Sequence, residues 1–131
     1  MTDYIKTEIS NGVLTLTMDR PEKKNAITRA MYQAMADGIL AADANPEVRC
    51  VLIQGEGDMF TAGNDLADFA AVNAGDAAAA DARREGNPLL AALAIAKTPL
   101  VAAVNGHAVG VGKAAAGALE GGPVSILAVC V

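Results

Sequence analysis

The first nineteen residues alternate between apolar and polar side chains in two runs, residues 4–9 (YIKTEI) and 13–19 (VLTLTMD). Strict alternation places successive side chains on opposite faces, which is typical of a half-buried β-strand. The dipeptide Asn11-Gly12 lies between the runs, and it favours a tight turn because both residues tolerate a positive φ. The chain is therefore predicted to open with a β-hairpin.

The next apolar pattern repeats at a helical spacing. Thr28 is a predicted N-cap, because its hydroxyl can accept a hydrogen bond from the first turn of a helix. The dipeptide Asn45-Pro46 ends the helix, since the residue before a proline disfavours helical geometry. The residues predicted to share the apolar face are Met31, Met35, Ile39 and Ala42.

Two short apolar runs bounded by turn residues, 48–55 (VRCVLIQG) and 100–106 (LVAAVNG), predict buried parallel strands. Residues 88–96 (PLLAALAIA) predict a helix between them. Residues 70–87 are rich in alanine and acidic side chains, and we interpret them as a partly helical excursion. The order ββ, α, β, turn, α, β, turn predicts an α/β fold.

Composition limits the classes of function. The chain has 131 residues, which suggests one domain, and only 3% of them are aromatic, so small aliphatic residues and methionine must fill the core. A net charge of −5 argues against nucleic acid and anionic membranes as partners.

The two cysteines, Cys50 and Cys130, lack the spacing of a metal site and indicate reduced thiols in a cytoplasmic protein, with no metal bound. The polar N-terminus is unlike a signal peptide, and the apolar tail is too short to span a bilayer.

Each predicted buried strand leads into a loop of small residues, TAGNDL (61–66) after the first and NGHAVGVG (105–112) after the second. In α/β folds, ligands collect where the carboxyl ends of strands meet such loops. Glycine and alanine allow backbone N–H groups to approach a ligand closely. Two N–H groups aimed at one point can stabilise a carbonyl oxygen that gains negative charge.

Three motifs, in this order and spacing, resemble the enoyl-CoA hydratase/isomerase (crotonase) superfamily. They are RPEKKNAIT (20–28), FTAGNDLADF (60–69) and PLVAAVNGHAVGVG (99–112). The resemblance extends from about Tyr4 to Gly112. The sequence GNDL is most similar to the branch that contains Δ3,Δ2-enoyl-CoA isomerases.

The resemblance implies a spiral of ββα units, here truncated after the second oxyanion loop, and assembly as a homotrimer or hexamer. It also implies an acyl-CoA thioester as substrate, with coenzyme A as part of that substrate and no separate cofactor. Carried over by position, the oxyanion donors are the backbone N–H groups of Asn64 and Val111.

The same resemblance assigns substrate contacts to two segments. Lys24, Asn25 and Ala26 would lie along coenzyme A, and Ala62, Asp65 and Leu66 would surround its adenine and pantetheine. Asp65 is equally well explained as the N-cap of the following helix. The basic cluster of Lys23, Lys24 and Arg29 fits either a phosphate contact or a solvated turn.

A proton-moving acid is missing at the expected place. Hydratases of the superfamily have a glutamate three residues after the second oxyanion donor, where this sequence has Ala114. The isomerase branch uses a glutamate further along. We therefore expect residues 1–112 to be the N-terminal part of a crotonase-like domain and residues 113–131 to be a divergent tail, from a frameshift or truncation. Glu120 and His107 are both predicted to be non-catalytic.

Two functional classes remain open. The chain is either an acyl-CoA-processing enzyme of the hydratase/isomerase type, or a catalytically incomplete acyl-CoA-binding fragment or pseudoenzyme. A nucleotide-binding interpretation of GVGKAA fails, because a P-loop needs glycine where His107 stands and Ser or Thr where Ala114 stands. A dinucleotide site lacks the acidic residue expected further along.

Overall fold

The computed structural model describes residues 2–67, 70, 74–109 and 126–130. In this part of the chain, helices and the strands of one sheet alternate. The strands are β1 (Ile5–Ser10), β2 (Val13–Met18), β3 (Cys50–Gly55), β4 (Leu100–Val104) and β5 (Ile126–Cys130). The helices are α1 (Arg29–Ala44), α2 (Ala77–Arg84) and α3 (Pro88–Ile95), and a 3₁₀ turn covers Pro21–Lys23.

The predicted hairpin is confirmed. β1 pairs antiparallel with β2, from Ile5 opposite Met18 to Ser10 opposite Val13. Asn11 and Gly12 both have positive φ angles, 53° and 81°. This combination twists the turn in the direction that the paired strands require.

The sheet order is β1-β2-β3-β4-β5 in the described residues. After the antiparallel hairpin, every further pair is parallel, with Leu16 opposite Ile53 and Val51 opposite Leu100. The carboxyl ends of β2, β3 and β4 therefore meet at one edge of the sheet. The predicted α/β class is confirmed, and this edge carries the loops that contain the three sequence motifs.

Helix α1 packs its predicted apolar face into the core. Met31, Met35 and Ile39 are each no more than 1% exposed. The Thr28 hydroxyl accepts a hydrogen bond from the Met31 N–H at 3.2 Å, which confirms the N-cap. Because the buried methionines are long and flexible, they fill this core without large aromatic side chains.

Helix α3 has its own cap at its start and is tied to α1 beyond its end. At its start, the Asn87 side chain caps α3 by accepting a hydrogen bond from the Leu89 N–H at 2.9 Å. Beyond its end, the Asp43 carboxylate of α1 accepts hydrogen bonds from the Thr98 N–H at 2.8 Å and from the Thr98 hydroxyl at 2.7 Å. The same carboxylate accepts from the Lys97 N–H at 3.0 Å. These bonds fix where β4 begins.

The apolar tail contains a strand that sequence analysis did not assign. Residues Ile126–Cys130 pair parallel with β4, with Ile126 opposite Leu100. The divergent tail predicted over residues 113–131 was not expected to contain a strand, and the remaining residues of that tail lie outside the described part of the chain. The tail has the same short, continuous apolar run as β3 and β4, and the preceding Gly-Gly-Pro break hid that similarity.

The loops after β3 and β4 approach each other through glycine. A Cβ atom on Gly106, in the loop after β4, would lie 2.1 Å from the carbonyl oxygen of Asp58 in the loop after β3. That neighbour is a backbone atom, which cannot rotate away as a side chain can. The two loops can pack this closely only because Gly106 lacks a side chain. Gly55 serves a local contact in the same way, since a Cβ atom there would lie 2.8 Å from the carbonyl oxygen of Phe60 in the loop after its own strand.

In the described part of the chain, no helix has the length and apolar character needed to cross a membrane.

The hydrogen bonds to the Asp43 carboxylate predict that part of the folding stability is lost in acid. Burial by itself raises the pKa of Asp43, but the hydrogen bonds from Thr98 and Lys97 outweigh it and lower the pKa below its usual value. A carboxyl whose pKa is lower in the folded state contributes stability above its unfolded pKa, and that contribution is lost as the pH falls through the folded pKa.

We therefore expect Asp43→Ala to reduce the free energy of unfolding by about 2 kcal/mol at neutral pH, and by less in acid. Urea unfolding at several pH values measures this. Asp37→Ala is the matched control, because the Asp37 side chain is exposed on the same helix and accepts a hydrogen bond from the Gln33 side chain. Its effect should stay within about 0.5 kcal/mol. Equal losses in both variants at every pH would contradict the prediction.

The close loop contact predicts that Gly106→Ala destabilises the chain. The added methyl must push against the Asp58 carbonyl, and we expect a loss of about 1–3 kcal/mol. Gly38→Ala is the control, because its methyl would meet the end of the flexible Leu16 side chain at 2.9 Å and alanine favours helix. Thermal unfolding should show a lower midpoint for Gly106→Ala than for Gly38→Ala. The reverse order would show that the loops have room to separate.

Candidate functional site

Three strand-end loops form a small ladder of backbone hydrogen bonds beyond the main sheet. Isolated parallel bridges join Ile27 to Asn64 and Thr61 to Ala108. The bridges connect the loops after β2, β3 and β4 in that order. The ladder therefore brings together the three segments whose motifs predicted a ligand site.

Thr61 is the residue at which the three loops meet, and it is fully buried. Its hydroxyl donates to the Asn25 carbonyl at 2.7 Å and accepts from the Gly63 N–H at 3.1 Å. Its backbone N–H donates to the His107 carbonyl at 3.2 Å, and its carbonyl accepts from the Val109 N–H at 3.1 Å. The side chain and the backbone of this one residue therefore hold all three loops in register.

Gly63 determines the direction of the predicted first oxyanion donor. Its carbonyl accepts a hydrogen bond from the Ile27 N–H at 2.8 Å. That carbonyl shares a planar trans peptide with the Asn64 N–H, so the two groups point in opposite directions. The Asn64 N–H is therefore directed away from Ile27.

The surroundings of Asn64 leave this donor available. Asn64 is exposed, and no hydrogen bond among the described residues uses its N–H. Gly63 has a φ of 95°, a conformation that favours glycine, and a Cβ atom there would lie 3.2 Å from the Val109 carbonyl oxygen. The glycine thus allows both the turn and the close passage of the neighbouring loop.

The predicted second donor cannot be placed. Val111 lies outside the described residues, as do Ala114 and Glu120. The described part of its loop ends at Val109, beside Gly63. The Val111 N–H therefore stays a prediction.

Asp65 forms a buried ion pair with Arg20, a residue that sequence analysis did not select. Arg20 Nη1 donates to Asp65 Oδ2 at 2.6 Å, and the two side chains are 12% and 11% exposed. The hydrogen bond to Asp65 raises the pKa of Arg20, so the guanidinium stays charged. The same Nη1 donates to the Ala26 carbonyl at 3.1 Å. The signal for Arg20 was its position directly after β2, at the start of the first motif.

Asp65 also caps the helical turn that begins at Leu66. Its Oδ1 accepts a hydrogen bond from the Ala67 N–H at 2.8 Å. The N-cap interpretation of Asp65 is therefore confirmed, while its contact with substrate stays a prediction. Leu66 is 83% exposed, so it is available for an apolar contact.

Asn25 is a predicted substrate contact whose side chain has a different task in the structure. It is fully buried, with a φ of 55°. Its Nδ2 donates to the carbonyls of Glu56 at 2.7 Å and Met59 at 3.0 Å, and its Oδ1 accepts from the Arg20 N–H at 2.9 Å. These bonds hold the loop after β2 against the loop after β3.

The other predicted contacts lie at the surface of the same ladder. The Lys24 carbonyl accepts a hydrogen bond from the Ala62 N–H at 2.9 Å, which brings two of the predicted residues together. Ala26 and Ala62 are half-buried, and the basic side chains of Lys23, Lys24 and Arg29 are exposed. The exposed cations therefore lie on the loop that borders the Asn64 turn and at the start of α1.

Tyr32 is a second residue that sequence analysis missed. It is 6% exposed on α1, and its hydroxyl donates to Oδ1 of Asn64. Burial raises the pKa of Tyr32 to about 12, so the hydroxyl stays protonated at neutral pH. The only signal in the sequence was a tyrosine beside Met31 on the apolar face of the helix.

His107 contributes its backbone to the ladder. Its carbonyl accepts from the N–H groups of Phe60 and Thr61, and its side chain is exposed. Among the residues that the structure describes, no group of three or more histidine, cysteine or acidic side chains could hold a metal ion.

Comparison with known proteins agrees with the three motifs. The family model described as enoyl-CoA hydratase/isomerase matches residues 8–118, six residues beyond the end predicted from the motifs. The chain is 35% identical over 114 residues to 1,2-epoxyphenylacetyl-CoA isomerase of Escherichia coli K12, a match that covers 86% of this chain and 44% of that protein.

Two solved structures share the fold. An enoyl-CoA hydratase/isomerase from Pseudoalteromonas atlantica is 40% identical with a TM-score of 0.70, covering 84% of this chain and 41% of that one. OdaA from Pseudomonas aeruginosa is 37% identical with a TM-score of 0.73, covering 98% of this chain and 51% of that one. The chain spans about half the length of these relatives or less. Its sequence and its fold place it in the enoyl-CoA hydratase/isomerase family.

Proposed function

We propose that this chain carries the thioester-binding part of an acyl-CoA enzyme of the hydratase/isomerase type. The observation that carries the proposal is the Asn64 N–H, which the Gly63 peptide directs away from the loop ladder in an exposed residue. A donor fixed in this way needs little reorganisation when charge develops on a bound oxygen. Removal of one such donor from an oxyanion site typically raises the barrier by about 2.7–4 kcal/mol.

The substrate class follows from the surroundings of that donor. A thioester carbonyl accepts the Asn64 N–H and, in our proposal, the Val111 N–H, and both bonds strengthen as an enolate forms. The exposed cations of Lys23, Lys24 and Arg29 suit the phosphates of coenzyme A. Exposed Leu66 suits the apolar part of its pantetheine arm.

We propose a double-bond shift as the reaction of the whole protein, with addition of water to the double bond as the second possibility. GNDL around Asn64 supports the shift, and so does Ala114, which occupies the position of the hydratase glutamate. Either reaction also needs a group that moves a proton. We propose that this group is a glutamate beyond these 131 residues.

The proposal is tested by binding of [1-¹³C]butanoyl-CoA, an acyl-CoA that has no double bond to react. We expect saturable binding in calorimetry and a shift of the thioester carbonyl stretch to lower frequency in infrared difference spectra, because hydrogen bonds to the oxygen polarise the carbonyl. A butyl thioether of coenzyme A, which lacks the carbonyl oxygen, is the matched control and should bind more weakly. Equal affinity for both ligands, or no binding, would contradict the proposal.

Turnover is measured separately with a 3-enoyl-CoA. Formation of the conjugated 2-enoyl-CoA would show that the chain itself contains the proton-moving group. Binding with a shifted carbonyl stretch and no turnover is the result expected if that group lies elsewhere.

The Thr61 contacts predict that its hydroxyl supports ligand binding. Thr61→Val keeps the shape of the side chain but removes the donor to Asn25 and the acceptor for Gly63. We expect a stability loss of about 1–3 kcal/mol, because both partners are left unsatisfied in a buried place. We also expect weaker butanoyl-CoA binding, since Gly63 orients the Asn64 peptide. Thr61→Ser keeps the hydroxyl and should bind like the parent chain. Weak binding by both variants would show that the methyl group matters more than the hydroxyl.

A further inference from the structure

Tyr32 connects the Asn64 turn to the first turn of helix α1. The tyrosine lies near the start of α1, and its hydroxyl donates to Oδ1 of Asn64. Tyr32 is 6% exposed, and burial raises the pKa of its hydroxyl to about 12, so the hydroxyl stays protonated and can donate at neutral pH.

The direction of this bond is determined by the groups that form it. An amide oxygen can only accept a hydrogen bond, so the Tyr32 hydroxyl donates its proton to Oδ1 of Asn64.

The backbone contacts beside Asn64 restrain one side of the turn. The Ile27 N–H donates to the Gly63 carbonyl at 2.8 Å, and the Ile27 carbonyl accepts from the Asp65 N–H at 2.9 Å. The Tyr32 hydroxyl adds a contact to the Asn64 side chain, which leaves the backbone at the residue whose N–H must be aimed.

We propose, on the basis of the proposed function, that Tyr32 is a positioning residue that fixes the Asn64 N–H for the thioester oxygen through the Asn64 side chain. Tyr32 does not touch the substrate. The tyrosine is 6% exposed on α1, and its hydroxyl contacts the turn at the Asn64 side chain. The site would thus depend on α1 as well as on the strand-end loops.

The test compares Tyr32→Phe, Asn64→Ala and the double variant. Tyr32→Phe removes only the hydroxyl, and Asn64→Ala removes the side chain but keeps the backbone N–H. We expect each single variant to weaken butanoyl-CoA binding roughly 3- to 10-fold, which is the range for one lost hydrogen bond. We expect each to lose part of the carbonyl frequency shift as well. The double variant should be no worse than either single variant, because both remove the same contact.

A measurement without ligand separates positioning from the proposed function. The ¹⁵N–¹H resonance of Asn64 in the full chain should move in Tyr32→Phe, while resonances of the β1–β2 hairpin stay in place. An unchanged Asn64 resonance, additive losses in the double variant, or a lower melting temperature with an unchanged carbonyl shift would each overturn the inference. A parent chain that gives no carbonyl shift would overturn the proposed function, and the Asn64 resonance would then decide the positioning role.

Discussion

The hydrogen bond between the Ile27 N–H and the Gly63 carbonyl is the contact on which the candidate site depends. Because a peptide is planar, this bond aims the Asn64 N–H away from the ladder. The other polar group of Gly63 is also fixed, since its N–H donates to the Thr61 hydroxyl. Gly63 adopts a φ of 95° between these two bonds, a conformation that most residues avoid. The turn contains small residues because its backbone takes this conformation. It contains polar residues because its peptide groups need hydrogen-bond partners.

Strands and helices could be predicted from the sequence because each follows a regular period. The hairpin, α1 with its buried methionines, α3 and the parallel strands β3 and β4 all occur at the predicted places, with ends shifted by two residues or fewer. Strand β5 was missed, since its apolar run follows a glycine-proline break and lies in a segment without a motif. Five residues give too little periodicity to distinguish a strand from an apolar tail.

The candidate site was only partly predictable, because its supports join residues far apart in sequence. The resemblance pointed to Asn64, but the ion pair of Arg20 with Asp65 joins residues 45 positions apart. The bond of Tyr32 to Asn64 spans 32 positions. Neither residue has a local pattern that distinguishes it from an ordinary loop arginine or core tyrosine. For Asn25 the local motif was misleading about the side chain. The motif suggested a ligand contact, but the side chain is hydrogen-bonded to the neighbouring loop.

The ion pair also has an electrostatic consequence for the proposed chemistry. Asp65 follows Asn64 directly, so a carboxylate belongs to the residue next to the N–H that we propose for the thioester oxygen. An unpaired negative charge near that N–H would oppose an enolate. Arg20 at 2.6 Å cancels most of this charge, while Asp65 still caps the next helical turn. The carboxylate can therefore order the turn without opposing the anion that the turn is proposed to bind. Because Asp65 is held in this pair, we do not assign it the role of base in the proposed reaction.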